Sequence, residues 1–307
     1  MRIAVPDMVS NSYFPAIAAV DLGAFKAEGY DAEAALLFPV PKAMEMLREG
    51  EFDFVAGSAH ATITAFPEWK GAKLLVALAH HMYWFLVLRA DLNVTRGDIN
   101  AVKGLRIGAA PGPDDGLVAM LKAAGIDPER DGVNIAPVPG ALESGLSFGV
   151  HAAKSLAEGV IDGFWANGMG TEIAVREGSG TVVLDVRRGD GPAVAQGYTF
   201  PALVTSDRKI VEAPDEVAAA VRAIVSVQKT LRANPARAKE VGDNRFPPTE
   251  AALITELIER DLPYYNPAIT EAEVVSMNRF AQSYGLLKND VPYDQVVATQ
   301  FSHLWAG

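Results

Sequence analysis

The sequence contains no cysteine. This absence excludes disulfide bonds, thiolate nucleophiles, iron–sulfur clusters and cysteine-based zinc sites. It does not identify a compartment, because secreted proteins without disulfides and cytosolic proteins look alike in this respect.

Basic residues are few and do not form runs. The chain has 27 Lys and Arg against 38 Asp and Glu, a formal net charge of −11. Nucleic-acid binding requires a basic face, and anionic membranes attract polybasic segments. We therefore expect neither nucleic acid nor a membrane surface as a partner.

Long apolar runs are also absent. The longest, such as 74–79 and 84–88, have the length of strands, far below the ~20 residues of a membrane span. The opening MRIAVPD is typical of a strand that ends in a turn, not of a secretory leader. We expect either a cytoplasmic protein or a periplasmic one whose leader has been removed.

Short apolar segments alternate with helical patterns, and half of the 307 residues are hydrophobic. This alternation predicts an α/β fold with mainly parallel sheets. The last third is predicted to be helical, with a capping box formed by Thr270 and Glu273. Strands are predicted at 2–6, 34–38, 52–56, 73–79, 84–89, 106–110, 133–138 and 161–166. Helices are predicted at 13–28, 41–50, 141–158, 214–232, 249–261, 271–284 and 293–305, and one more follows segment 111–115 and ends at 125.

The order of elements repeats within the chain. Segment 26–31 has a counterpart at 122–127, and segment 47–53 has one at 156–162; each is a helix end, a glycine turn and an aspartate before a strand. Any two βαβ units share glycine and aspartate turns. Two matches in the same order nevertheless favour two related lobes.

Four segments resemble type II periplasmic solute-binding proteins, in the branch serving importers of alkanesulfonates, taurine and thiamine-pyrimidine precursors. They are LREGEFDFVAGSAHA at 47–61, KGLRIGAAPG at 103–112, SLAEGVIDGFWANG at 155–168 and YTFPALVTSDRKI at 198–210. The resemblance covers nearly the whole chain through the order and spacing of these motifs.

The resemblance implies two α/β lobes joined by two crossing strands, with C-terminal helices packed on them and a ligand held between them. Lobe one is predicted at 1–88 plus 204–307 and lobe two at 89–203, with crossings near 85–103 and 195–205. It implies a monomer that binds a small molecule, needs no cofactor and has an ABC permease as partner.

Two loops of lobe one are predicted to face the ligand, because each follows a strand at the edge where open α/β sheets bind ligands. The first contains Asn11, Ser12, Tyr13 and Phe14, where Ser12 either binds ligand or caps the next helix. One of the two aromatic residues stacks on the ligand and the other is core. The second loop contains Ser58 and His60, whose imidazole binds either ligand or backbone.

The segment His80, His81 and Tyr83 is a third candidate. Neighbouring residues of a strand point to opposite faces, so the two histidines do not suit one metal ion, and no metal site is predicted. We expect one histidine to reach the ligand and the other to lie on the surface, with the strand register deciding which.

Lobe two offers two further loops. Gly112 permits close backbone approach, Pro113 and Asp114 begin a helix, and Trp165 with Asn167 would provide a flat wall and an amide. The alternative for Trp165 is packing inside the lobe.

Two functions follow. The leading one is capture of a small, ring-containing ligand for an importer. No arginine occurs in the candidate loops, which disfavours a carboxylate or sulfonate clamp. The alternative is a cytoplasmic decarboxylase, lyase or hydrolase on the same fold, with His60, His81 and Asp114 in acid–base roles. The family's cysteine-dependent enzymes are excluded as models for it.

Overall fold

The structure is a computed structural model that describes residues 1–141, 143, 144 and 147–306. The chain divides into two units. Unit 1 comprises Met1–His80 and Thr199–Gly307, and unit 2 comprises His81–Tyr198. The chain therefore passes between units twice, after His80 and after Tyr198.

The strands of the described residues are numbered in chain order: β1 (Arg2–Val5), β2 (Glu33–Leu36), β3 (Phe54–Ser58), β4 (Ala72–Ala77), β5 (Phe85–Arg89), β6 (Arg106–Ala109), β7 (Asn134–Ala136), β8 (Gly163–Ala166), β9 (Gly180–Asp185) and β10 (Pro201–Ser206). The helices are α1 (Phe14–Asp21), α2 (Ala24–Ala27), α3 (Val40–Glu49), α4 (Thr62–Ala65), α5 (Pro113–Ala123), α6 (Phe148–Ala157), α7 (Gly168–Arg176), α8 (Asp207–Glu212), α9 (Pro214–Ala233), α10 (Arg237–Arg245), α11 (Pro248–Asp261), α12 (Glu271–Tyr284) and α13 (Tyr293–Val296).

Unit 1 contains a five-stranded sheet in the order β2-β1-β3-β10-β4. Strand β1 runs parallel to β2 and β3, whereas β10 lies antiparallel between β3 and β4. All five residues of β3 are buried, as expected for a strand covered on both faces. The carboxyl ends of β1 and β3 thus lie at the same edge of the sheet.

Unit 2 contains a second five-stranded sheet, in the order β7-β6-β8-β5-β9. Strand β6 runs parallel to β7 and β8, and β5 lies antiparallel between β8 and β9. The two sheets therefore share one plan, in which four strands run in one direction and one antiparallel strand lies between two of them.

An aspartate holds the start of the parallel strands in each unit. In unit 1, Asp53 Oδ2 accepts a hydrogen bond of 2.8 Å from the backbone N–H of Arg2. In unit 2, Asp162 Oδ2 accepts one of 3.0 Å from the N–H of Arg106. These aspartates occupy equivalent positions of the sequence repeat, so the repeat extends to hydrogen bonding.

The α/β class, the order of the predicted elements and the Thr270–Glu273 capping box are confirmed. The prediction of mainly parallel sheets holds for four of the five strands in each sheet, whereas β10 and β5 run in the opposite direction and make both sheets mixed. Strand β9 and helix α7 were not among the predicted elements.

Several predicted helices have different limits. The helix at 13–28 is broken into α1 and α2 at Gly23, which adopts a φ of 75° that favours glycine. The tail at 293–305 forms α13 and a 3-10 segment, Thr299–Ala306. The helix predicted at 141–158 begins at Phe148, and residues 142, 145 and 146 of that prediction lie outside the described residues.

Helices α6 and α7 approach each other through two glycines. A Cβ atom at Gly170 would lie 2.1 Å from the backbone oxygen of Gly149, which cannot move like a side chain. We expect Gly170→Ala to lower the free energy of unfolding of unit 2 by about 1–3 kcal/mol through overpacking. Chemical denaturation measures the change, with Val175→Ala at an exposed position of α7 as control. Equal stability of the two variants would contradict this close approach.

The Asp162–Arg106 pair makes unit 2 sensitive to acid. Two side-chain hydrogen bonds of 2.8 Å from Arg106 lower the pKa of Asp162 to about 2, although burial acts in the opposite direction. A lowered carboxyl pKa stabilises the fold above its unfolded value, near 3.8, and this stabilisation is lost as the pH falls towards 2.

We expect Asp162→Asn to be less stable than wild type at pH 7 and to lose less stability between pH 4 and pH 2. Thermal unfolding across this range tests the expectation. Parallel pH profiles of the two proteins would show that the pair does not couple protonation to folding.

Candidate functional site

The candidate site of unit 1 lies at the edge where β1 and β3 end. Ser58 is the last residue of β3, and His60 follows it in a 3-10 turn. Asn11, Ser12 and Tyr13 lie in the segment between β1 and α1. Because β1 and β3 are parallel neighbours, with Ala4 beside Val55, both segments leave the sheet at this edge.

Ser10, not Ser12, supports the start of α1. The Ser10 hydroxyl accepts hydrogen bonds from the backbone N–H groups of Ser12, at 3.1 Å, and Tyr13, at 3.4 Å. Tyr13 is the N-cap residue, and its side chain makes no capping hydrogen bond. The capping alternative for Ser12 is therefore wrong.

Asn11 is held by Asp261 and Tyr265, two residues from the C-terminal part of the sequence. Its Nδ2 donates a hydrogen bond of 2.6 Å to Asp261 Oδ2, and its backbone oxygen accepts one of 3.3 Å from the Tyr265 hydroxyl. An amide whose nitrogen faces a carboxylate has its orientation fixed. Asn11 Oδ1 is thus the acceptor that remains, and it has no hydrogen-bond partner among the described residues.

The hydroxyls of Ser12 and Ser58 are also buried without a hydrogen-bond partner among the described residues. Both residues are fully buried, Asn11 is 3% exposed, and neither hydroxyl has a hydrogen-bond partner in the described part of the chain. A buried polar group without a partner costs about 1–3 kcal/mol. Three such oxygens at one sheet edge form a set suited to an external hydrogen-bonding molecule.

The ring residues of these segments are buried. His60 is fully buried, and its imidazole contacts the edge of Phe280, with ring centres 5.4 Å apart. Its backbone N–H donates to Thr199 Oγ1 at 3.4 Å. Phe14 packs edge-on against Phe246 and belongs to the core, whereas Tyr13 is 4% exposed beside the serines.

The two histidines do not lie in a strand, which corrects the premise of the prediction for them. His80 and His81 occupy a bend between β4 and β5, where His81 adopts a φ of 64°. His80 Nδ1 lies 2.5 Å from Glu273 Oε1, and its Nε2 lies 3.1 Å from the Asn266 oxygen. These two contacts attach His80 to the C-terminal region of unit 1.

Glu273 shows the effect of this pairing. Burial raises its pKa, but the hydrogen bond and charge of His80 and the bonds from Thr270 outweigh burial, so the pKa of Glu273 is lowered overall.

Across the described ranges, no cluster of three or more histidines and carboxylates is placed to hold a metal ion.

In unit 2, the Asp114 side chain accepts hydrogen bonds from the backbone at the start of its own helix, α5. Its Oδ1 accepts hydrogen bonds from the backbone N–H groups of Gly112, at 2.8 Å, and Asp115, at 3.1 Å. Burial raises the pKa of Asp114 despite these bonds. Asn167 has a similar role at α7, where its Oδ1 accepts from the N–H of Met169 at 3.2 Å.

Trp165 joins the candidate loops of unit 2. Its indole N–H donates a 3.0 Å hydrogen bond to the carbonyl of Pro113, which begins α5. The Trp165 ring is fully buried and lies 5.9 Å from Trp84. Tyr83 lies between Trp84, at 4.6 Å, and the Arg187 guanidinium, at 5.6 Å.

The structure thus places the segments of Asn11, Ser12 and Ser58 at one sheet edge of unit 1, and it joins Trp165 to Pro113 by a hydrogen bond in unit 2. Sequence reasoning missed Asp261 as the partner of Asn11. The two residues are 250 positions apart in the sequence, and no local sequence pattern indicates their contact.

Comparison with known proteins relates these features to a family. A family model described as NMT1/THI5 like matches residues 10–238. No curated protein matches the sequence. The family resemblance inferred from the sequence motifs is confirmed.

Solved structures share the fold over almost the whole chain. A protein from Bordetella bronchiseptica RB50 is 19% identical, with a TM-score of 0.78 over 98% of this chain and 95% of that one. The alkanesulfonate-binding protein SsuA from Xanthomonas axonopodis pv. citri, bound to MOPS, is 14% identical, with a TM-score of 0.69 over 98% and 96%.

The desulfurization enzyme DSZB is 15% identical, with a TM-score of 0.63 over 98% of this chain and 97% of that one. The predicted type II periplasmic-binding-protein fold is confirmed by these similarities.

None of the helices in the described ranges combines the length and the apolar character that crossing a bilayer requires.

The three serines provide a test of which hydroxyls serve the fold. We expect Ser10→Ala to lower the free energy of unfolding by about 1 kcal/mol, because it removes the support of α1. Ser12→Ala and Ser58→Ala should leave it unchanged or raise it, since each removes a buried hydroxyl without a described partner. Urea denaturation of the ligand-free proteins compares them. A loss in Ser12→Ala as large as in Ser10→Ala would assign Ser12 a structural role.

Proposed function

Since this chain belongs to the NMT1/THI5-like family, we propose that it binds a small organic molecule as the solute-binding component of an ABC-type importer. Its fold is that of SsuA, an alkanesulfonate-binding protein. In this role the protein would act in the periplasm and pass its ligand to a permease.

The buried oxygens of Asn11, Ser12 and Ser58 carry the proposal. The segments that carry them leave the sheet at one edge, and the hydrogen-bonding capacity of these oxygens is not used by the described residues. A protein selected for stability alone would replace them by apolar groups, because satisfied or absent polar groups are favoured in cores. A ligand that enters this edge would supply the missing partners.

The chemistry of these groups favours a neutral ring that bears hydrogen-bond donors. Asn11 Oδ1 accepts only, and the two hydroxyls can accept or donate. None of the three carries a charge to balance an anion. The buried Tyr13 ring, which follows Ser12 in the chain, offers an aromatic surface for a flat ligand.

The residues of unit 2 stay candidates for contacts with the same ligand. Gly112 and Pro113 would present backbone, and Trp165 would present its ring, as the sequence predicts. Asp114 and Asn167 already accept backbone hydrogen bonds at the starts of α5 and α7, so their contribution would come from their remaining polar capacity.

The alternative function, catalysis, has one specific observation in its favour. Burial raises the pKa of Asp114, a direction that suits a general acid. DSZB shows that an enzyme can share this fold. The alternative is separated from binding by looking for a product.

A ligand panel tests the proposal. Neutral rings with donors (cytosine, 4-aminopyrimidine and nicotinamide) are compared with the anions MOPS, taurine and nitrate by thermal shift and calorimetry. We expect saturable binding of a neutral ring. Ser58→Ala should weaken it about 5- to 15-fold, the effect of about 1–1.5 kcal/mol from one hydrogen bond. Ser226→Ala, exposed on α9, is the matched control.

Three outcomes would contradict the proposal. Preferential binding of MOPS, taurine or nitrate would assign the site to anions. Equal affinity of Ser58→Ala and wild type would place the ligand elsewhere. Conversion of the bound compound, detected by mass spectrometry and lost in Asp114→Asn, would assign catalysis.

A further inference from the structure

A pocket lies within unit 1, formed by α9, the segment after α11 and the C-terminal 3-10 segment. Its volume is about 400 Å³, within the range of small-molecule sites. It is lined by Val225, Gln228, Lys229, Arg232, Pro263, Tyr265, Asn266, Pro267, Trp305 and Ala306. Asn11, Ser12 and Ser58 are not part of this lining.

Gln228 lines the pocket and has a side-chain amide of fixed orientation. The residue is 1% exposed, and its Nε2 donates hydrogen bonds of 2.9 Å to the carbonyls of both Ala77 and Leu78. These bonds orient the amide, as Asp261 orients Asn11. Gln228 Oε1 is then an acceptor without a hydrogen-bond partner among the described residues.

Arg232 supplies a cation one helical turn from Gln228. Its guanidinium donates to the backbone oxygen of Tyr265, and no carboxylate in the described part of the chain forms an ion pair with it. A pocket of about 350 Å³ in unit 2 gives a contrast. Its arginine, Arg89, pairs with Asp91 at 3.0 Å and with Asp162 at 3.5 Å.

Two prolines and a tryptophan contribute to the apolar part of the wall, which also includes Lys229 and Asn266. Pro263 and Pro267 belong to it, and the Trp305 indole is held by a 3.0 Å hydrogen bond from its N–H to the carbonyl of Leu75. A complementary molecule has an anionic group for Arg232, a donor for Gln228 Oε1 and an apolar portion. Gln228 and Arg232 are four residues apart on α9, so their side chains leave the same face of the helix.

We propose that this pocket binds an α-amino or α-hydroxy carboxylate. The carboxylate pairs with Arg232, the α-ammonium or α-hydroxyl group donates to Gln228 Oε1, and the side chain contacts Trp305 and the prolines. The pocket shares Tyr265 with the edge of β1 and β3, because the Tyr265 hydroxyl donates to the Asn11 backbone oxygen. The proposal does not depend on the function proposed for that edge.

Calorimetry with L-alanine, L-leucine and L-phenylalanine, and with the 2-hydroxy analogue of leucine, tests the proposal. Two compounds dissect the head group: 4-methylpentanoate lacks the α-donor of leucine, and 3-methylbutylamine lacks its carboxylate. We expect saturable binding of at least one amino or hydroxy acid. We expect 4-methylpentanoate and 3-methylbutylamine each to bind about tenfold or more weakly than leucine or its 2-hydroxy analogue.

Variants locate the binding. Arg232→Gln should weaken it about tenfold or more, because it removes a charge-assisted hydrogen bond. Arg279→Gln, the same change at an exposed position of α12, should leave it unaltered. Ser58→Ala should also leave it unaltered, which separates this pocket from the proposed importer site.

Absence of saturable binding by all the amino and hydroxy acids would overturn the proposal. So would equal binding by Arg232→Gln and wild type, provided that both unfold at the same temperature. Weakening by Ser58→Ala but not by Arg232→Gln would assign the amino acid to the edge of β1 and β3 instead.

Discussion

The hydrogen bond from a strand's first amide to a neighbouring aspartate is the constraint on which both sheets depend. Asp53 and Asp162 each precede a central strand and bind the first residue of the parallel strand beside it. A one-residue slip would turn every side chain of a strand to the other face. With the amino ends registered in this way, the carboxyl ends of β1 and β3 deliver Ser58 and the Asn11 segment to one edge.

Serine has two opposite uses within a few residues of this edge. Ser10 directs its hydroxyl to backbone N–H groups and supports α1, whereas the hydroxyls of Ser12 and Ser58 are left without described partners. The first arrangement contributes to folding and the second costs stability. At this edge the cost falls on Asn11, Ser12 and Ser58, beside a central strand, β3, that is buried throughout.

Local patterns predicted much of the fold because strands, glycine turns and caps depend on near neighbours. The aspartate repeat and the Thr270–Glu273 box are of this kind. The antiparallel entry of β10, the contact of Asp261 with Asn11 and the attachment of His80 to Glu273 depend on residues far apart in the chain. Their sequences contain no signal of the partner. The candidate site was therefore predicted as a set of loops, without the contacts that orient them.

The position of β10 has a consequence for the order in which the chain can fold during synthesis. Strand β10 separates β3 from β4 in the sheet of unit 1, although more than a hundred residues lie between β4 and β10 in sequence. A nascent chain that ends before residue 201 lacks the strand that joins β3 to β4, while unit 2 is continuous and can form its own sheet first. The sheet of unit 1 can therefore be completed only after most of the protein has been made.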